Sequence, residues 1–146
     1  MSNIFAAEPL IIARIAANVT GLEDVGSVSK LAGYRPDQIP LPSVYVIPGP
    51  AEVEGDPNDG GVQIEYQTWQ VVVCVGHIED TATDDSATTA KAAGEILYQV
   101  MRALVGWRPA SGFMPMAYRG REEPYYEPGY AEFPALFQTG LVITGI

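Results

Sequence analysis

The segment from Asp84 to Pro109 constrains the fold most, because it reads as one long helix with both ends marked. Asp84 and Asp85 suit its start, where a short side chain can accept an orphan backbone N–H and negative charge meets the positive end of the helix dipole. Ala93, Ile96, Leu97, Val100, Met101 and Leu104 recur at spacings of three and four and form one apolar side. Lys91, Glu95, Gln99 and Arg102 fill the other. Gly106 suits the left-handed residue that closes a helix, and Pro109 prevents a restart. Burial of the apolar stripe accounts for everything in this segment except Trp107.

A second helix is shorter. Pro9 in a first turn, then Ile11, Ile12, Ile15, Ala16 and Val19, predicts an amphipathic stretch closed near Gly21. The β signals lie between and after these helices. Val25 to Val28 predicts a brief strand, and Leu31 to Pro42, with three prolines and a glycine, an irregular connection. Ser43 to Ile47 predicts a strand that Pro48 and Pro50 terminate. Ala51 to Gly61 is polar and acidic, and predicts a loop.

Val62 to Ile78 is the longest β run, and its alternation changes phase. Val62, Ile64 and Tyr66 place apolar groups on even positions; Trp69, Val71, Val73 and Val75 place them on odd ones. A regular strand cannot do this without exchanging faces. Either a bulge lies near Gln67-Thr68, or the first half leaves the main sheet and buries its other side elsewhere. The second reading is favoured, as a long hairpin whose acidic tip reaches beyond the domain. Phe113 to Tyr118 and Ala131 to Ile143 predict two further strands, joined by a charged, aromatic connection from Arg119 to Tyr130. Ala135, Phe137, Thr139, Leu141 and Ile143 share one parity. The expected fold is α+β: a mostly antiparallel or mixed β-sheet packed against two α-helices, order α-β-β-β-α-β-β, with an extended β-hairpin.

At 146 residues the chain reads as a single domain, residues 1–146, large enough to bury roughly 70% of its unfolded surface without staples. Its lone cysteine, Cys74, excludes an intrachain disulfide framework and agrees with assembly in a reducing cytoplasm. No signal peptide or bilayer-spanning run is visible. Eight basic against 18 acidic residues leave a net charge of −10. The cations are scattered, only Arg119 and Arg121 being close together, so tight nucleic-acid binding and attraction to an anionic membrane are both disfavoured.

Little points to chemistry. His77 is the only histidine, and Cys74 lies three residues away, on the opposite face of a regular strand. A valine-flanked cysteine reads as a small core residue, and no further Cys or His exists to complete a zinc site. Asp56, Asn58 and Asp59 lack the spacing of a calcium loop. Glu122, Glu123 and Glu127 read as surface carboxylates. No catalytic, metal or cofactor-binding residue is expected. Tyr118, Tyr125, Tyr126, Tyr130 and Trp107, in contrast, sit in or beside loops, and Tyr, Trp and Arg dominate protein interfaces. Packing beneath loops competes for each one singly. As a cluster, Trp107, Arg119, Arg121, Tyr125, Tyr126 and Tyr130 read as a subunit or docking interface.

Five segments carry a resemblance. They are Glu8-Pro9-Leu10-Ile11, Pro42-Ser43-Val44-Tyr45-Val46, Gln70-Val71-Val72-Val73, Ala103-Leu104-Val105-Gly106-Trp107-Arg108-Pro109 and Pro134-Ala135-Leu136-Phe137-Gln138-Thr139. In this order, across nearly the full chain, they resemble the tail-terminator (tail-completion) proteins of long-tailed bacteriophages. The resemblance implies a structural virion protein, assembled in the host cytoplasm, that forms a ring, usually hexameric, on the head-proximal end of the tail tube. There it would end tube polymerisation and offer a joining surface for the head. Its partners would be itself, the tail tube protein, head-tail connector proteins and, in some tails, a sheath protein, with no catalytic residue and no cofactor. An acidic lumen would let DNA pass without sticking; Glu52, Glu54, Asp56 and Asp59 at the hairpin tip are the candidates, with Glu122 and Glu123 equally placed at a docking face. Two alternatives stay open: a head-tail stopper of the neck, and a non-viral α+β domain that binds a small ligand or peptide in one deep apolar pocket.

Overall fold

The stripe of the long helix finds its layer in a six-stranded sheet. A computed structural model describes residues 3–55, 61–77 and 85–146. In chain order these form α1 (Ala7–Asn18), β1 (Asp24–Ser27), α2 (Val28–Ala32), a 3-10 turn (Pro36–Gln38), β2 (Ser43–Glu54), β3 (Val62–Val75), α3 (Asp85–Leu104), β4 (Ala117–Arg121), β5 (Tyr125–Glu127) and β6 (Tyr130–Thr144). The sheet runs β1-β2-β3-β6-β4, with β5 also on β6. Only β1–β2 is parallel; the other pairings are antiparallel. The fold is therefore α+β with a mixed, open sheet, as expected, plus the short α2 and β5.

Both long helices pack on one face. Ile11 and Ile15 of α1 and Ala93, Leu97, Val100 and Leu104 of α3 meet Val44, Val46, Trp69, Val71, Val73, Phe133 and Phe137 in one buried cluster. Each large apolar side chain buried there stabilises by ~1.5–3 kcal/mol, so a charge at Val100 or Val71 would break the layer. Helix α3 ends as its sequence predicts: Gly106 adopts φ +78°, which L side chains rarely take. Its N–H donates to Met116 O (2.9 Å), and Met116 N–H donates to Trp107 O (2.8 Å), so the turn after the helix is stapled to the approach to β4.

The opposite face is covered mainly at one end. Tyr45, Val72, Cys74 and Tyr130 form a second cluster beneath Leu31, Tyr34, Ile39 and Leu41 of the 28–42 connection. That connection is tied down at Asp24, whose carboxylate accepts from Lys30, from the Tyr34 hydroxyl (3.1 Å) and from the Tyr45 hydroxyl (3.0 Å). Burial pushes the Asp24 carboxyl up, but hydrogen bonds from Lys30, Tyr45 and Tyr34 outweigh it and hold it below its ordinary range.

Three expectations need correction. Strand β2 does not stop at Pro48 and Pro50 but continues to Glu54. Its partner β1 ends opposite Val46, so both prolines fall where β2 has an outer edge with no partner among the described residues. Missing donors there cost no ladder bond and discourage edge-to-edge pairing. The bulge that stands as the alternative near Gln67-Thr68 of β3 lies on the facing strand, between Pro48 and Ala51 of β2, opposite Thr68. Gly49 is needed at that point, because a Cβ would sit 2.9 Å from Thr68 O. Finally, the 119–130 connection is not a loop: it holds the end of β4 and all of β5, both lying along β6.

The phase change of β3 has a different cause from the one favoured. The strand stays in the main sheet, pairing with β6 without a break from Val62↔Thr144 to Val75↔Ala131. Its residues from Val71 to Val75 are all buried, because helices cover one face and the 28–42 connection the other. Above Gln67 the even residues Val62, Ile64 and Tyr66 lie on the face opposite α1 and α3, where Met114 reaches over Gly140 beside Ile64 and leaves Ile64 and Tyr66 half-buried and Val62 exposed. The alternation does not report full cover: here it marks a face that Met114 covers only in part.

Candidate functional site

Beyond the reach of the helices, the strands β2, β3 and β6 continue as a three-stranded arm, residues 48–54, 62–66 and 141–144. From Gln67 to Val62 it extends about 17 Å at 3.4 Å per residue. Val53 is 61% exposed, Val62 45%, and Val142 and Ile143 42% each. The register puts Glu52 beside Tyr66, Glu54 beside Ile64, and Ile64 beside Val142, all on the helix-free face. The Glu54 carboxylate accepts from the Tyr66 hydroxyl, which raises the Tyr66 pKa. Val53, Leu141 and Ile143 share the other face with Glu65. Next to Leu141 and Ile143, the start of the chain at Asn3-Ile4 and the Ser111-Gly112 turn close a shallow hollow of about 420 Å³. Leu141 packs against the core at the base of the arm and Met114 lies beside Ile64, but Val53, Val62, Val142 and Ile143 stay exposed, which is unusual for a chain that works alone.

Charge is segregated along the same lines. Residues 36–90 hold ten carboxylates and no lysine or arginine, while the rest of the chain holds eight of each sign. The arm shares in that acidity, and the cations lie elsewhere. Glu52 and Glu54 are exposed; Asp56 and Asp59 lie outside the described residues. Between α1 and α3, Arg14, Asn18, Gln99, Arg102 and Ala103 line an open hollow of about 350 Å³ that contains no carboxylate. Arg14 Nε donates to Ala103 O (2.9 Å), and its guanidinium lies 5.6 Å from the Trp107 ring centroid, a cation–π distance. Among the described residues the one ion pair is Lys30–Asp24, so these arginines have no acidic partner there.

These surfaces belong to a chain that matches, over residues 1–146, the model of the family described as phage tail terminator protein. The chain belongs to that family. A tail-terminator chain is a structural protein of a phage-type virion, working with other tail components. No curated protein matches it. A solved structure described as the virion of a native gene transfer agent particle contains a chain similar to it, with 20% identity and a TM-score of 0.47, covering 90% of this chain and 84% of that one.

The tail-terminator aromatics expected at an interface divide when placed in the fold. Tyr125 is exposed, its hydroxyl donating to Glu127 (3.0 Å). Tyr126 is 38% exposed and packs edge-on against His77 (5.2 Å) and Phe133 (5.6 Å). Tyr118 is half-buried against Phe137. Tyr130 is not the exposed loop residue expected: it is buried at the start of β6, its hydroxyl donating to Glu132, with Cys74 Sγ at 3.4 Å. Burial pushes the Tyr130 hydroxyl up, and burial also pushes the Cys74 thiol up to about 11. Trp107 is half-buried and joins α1 to the end of α3 through Arg14, so part of it is structural.

Arg119 is the extra residue of a bulge in β4, exposed at the sheet edge. Arg121, Glu122 and Glu123 border an open hollow of about 610 Å³ with Tyr118, Phe133 and Pro134. Cations and carboxylates are mixed there. His77 bonds Thr89 Oγ1 through Nδ1 (2.9 Å) and lies apart from the Cys74–Tyr130 contact. Among the described residues no three His, Cys, Asp or Glu side chains converge to hold a metal. Sequence reasoning missed Tyr98 on α3 and Val105 just past its end, 63% and 54% exposed. Their spacing about Arg102 was the available signal, since an apolar residue on the polar side of an amphipathic helix is out of pattern.

Proposed function

We propose that this chain forms a ring, six-fold, on the head-proximal end of the phage tail tube, where it stops tube polymerisation and presents a joining surface for the head. The match of the tail-terminator family to the whole chain carries this reading, and the arm supports it. A ring needs two different complementary patches on each subunit, and a lone subunit leaves both bare. The exposed apolar residues of the arm and the separate cationic surface beside Trp107 are two such patches. Contacts with tube and connector proteins would fall to the two ends of the ring, and Tyr125, Arg119 and Arg121 on the β4–β5 edge are the residues we assign to them. A net charge of −10 denies passing DNA the counterion-releasing contacts by which it adheres.

Negative-stain microscopy of tail tubes polymerising with and without the protein tests this. A terminator leaves a ring on one end of each tube and halts growth there. Tubes that grow to the same length with bare ends would overturn the proposal, and binding to isolated portal or connector particles instead would make it a neck stopper.

A further inference from the structure

The arm's helix-free face and one stripe of α3 complement each other in chemistry. On the arm, Val62, Ile64 and Val142 form an apolar strip flanked by Glu52 and Glu54, with no cation in the arm to balance them. Tyr98 and Arg102 on α3 and Val105 just past its end are separated by four and three residues, and because the Val105 N–H still donates to Met101 O they continue one exposed helical line. Arg14 stands beside Arg102 in the carboxylate-free hollow. One surface is apolar and anionic, the other apolar and cationic. They lie on different elements, so a contact between them joins different copies head to tail.

We propose that the Glu52–Glu54 face of the arm of one copy seats on the Tyr98–Arg102–Val105 stripe of the next. The proposal rests on the ring reading above and names the contact that closes the ring. The β4 edge is the poorer receptor, because Glu122 and Glu123 flank Arg121 there and would repel the arm. Along α3, Glu95 is offset by Lys91 four residues before it. Apolar contact supplies adhesion, and the charges fix register and exclude the arm-to-arm pairing that would end assembly at a dimer.

The test uses full-length chains: Glu52→Arg with Glu54→Arg, Arg102→Glu, and the three combined, each checked by thermal melting. Self-association is measured by sedimentation, alone and with tail tubes. The arm variant and the helix variant are each expected to lose association by about tenfold or more, and the combined variant to regain most of it, as a coupled charge pair requires. Val105→Asp, which leaves the arm untouched, is expected to abolish association as well. If the parent assembles and the reversals make no difference, this contact is overturned while the ring stands. If each reversal weakens association but the combination restores nothing, the pairing is likewise overturned. A parent that never associates, with itself or on tubes, overturns the ring reading and this contact together.

Discussion

The lower and upper halves of β3 belong to one unbroken ladder with β6, yet they live in different surroundings. The lower half, Val71 to Val75, is buried on both faces by elements of the same chain. The upper half has equally apolar side chains at Val62 and Ile64 but far less cover: Val62 is exposed and Ile64 is half-buried beside Met114. Backbone pairing is the same in both, so hydrogen bonding cannot explain the difference. What differs is the covering layer: in the body the same chain supplies it, and over much of the arm it is thin, which the proposed ring contact would complete. Hydrophobic residues in a strand therefore do not by themselves mark the core of a subunit.

If that contrast is right, body and arm should respond differently to the same kind of change. Phe137→Ala, at a fully buried body position, should cost about 3–5 kcal/mol in urea denaturation of the isolated chain. Trp107→Ala falls between the regions. It removes a half-buried indole and its Arg14 contact, and should lower stability by about 2 kcal/mol while leaving the chain folded. Complete loss of near-ultraviolet circular dichroism in that variant would move Trp107 wholly into the core.

Asp24→Asn sharpens the body side through pH. The Asp24 carboxyl is held below 3.8, so its charge stabilises the fold above that value and the stabilisation fades as pH falls through the lowered one. Parent and variant should differ in melting temperature near pH 7 and converge as the pH falls below the lowered value. A constant gap across that range would mean that the Asp24 charge does not hold the 28–42 connection. The smallest expected effect on stability is in the arm: Val142→Ser should stay within about 0.5 kcal/mol of the parent, yet weaken assembly on tail tubes. A large loss of stability from that change would make the arm part of the body after all.

Legibility in the sequence followed the same division. Helix α3, its closing Gly106 and the shared parity of β6 were readable because their partners are within the chain and impose a period. The extension of β2 past Pro48 and Pro50 was not, because proline is incompatible with a paired interior position and sequence does not show which edge is free. Tyr130 was misplaced for a related reason. Its neighbours Pro128 and Gly129 read as loop, but they form the tight turn of the β5–β6 hairpin and deliver Tyr130 into the cluster around Cys74. The phase change in β3 was seen, and its cause was not: an alternation of apolar residues reports a covered face without saying whose side chains cover it.

Amide hydrogen exchange on the chain alone and after mixing with tail tubes addresses the central claim most directly. Subunit contact through the arm predicts that amides of residues 52–54, 62–66 and 141–144 exchange early in the free chain and gain strong protection on assembly, while those of β3 from Val71 to Val75 stay slow in both. Arm amides that exchange at the same rate in the assembled and the solitary chain would contradict it.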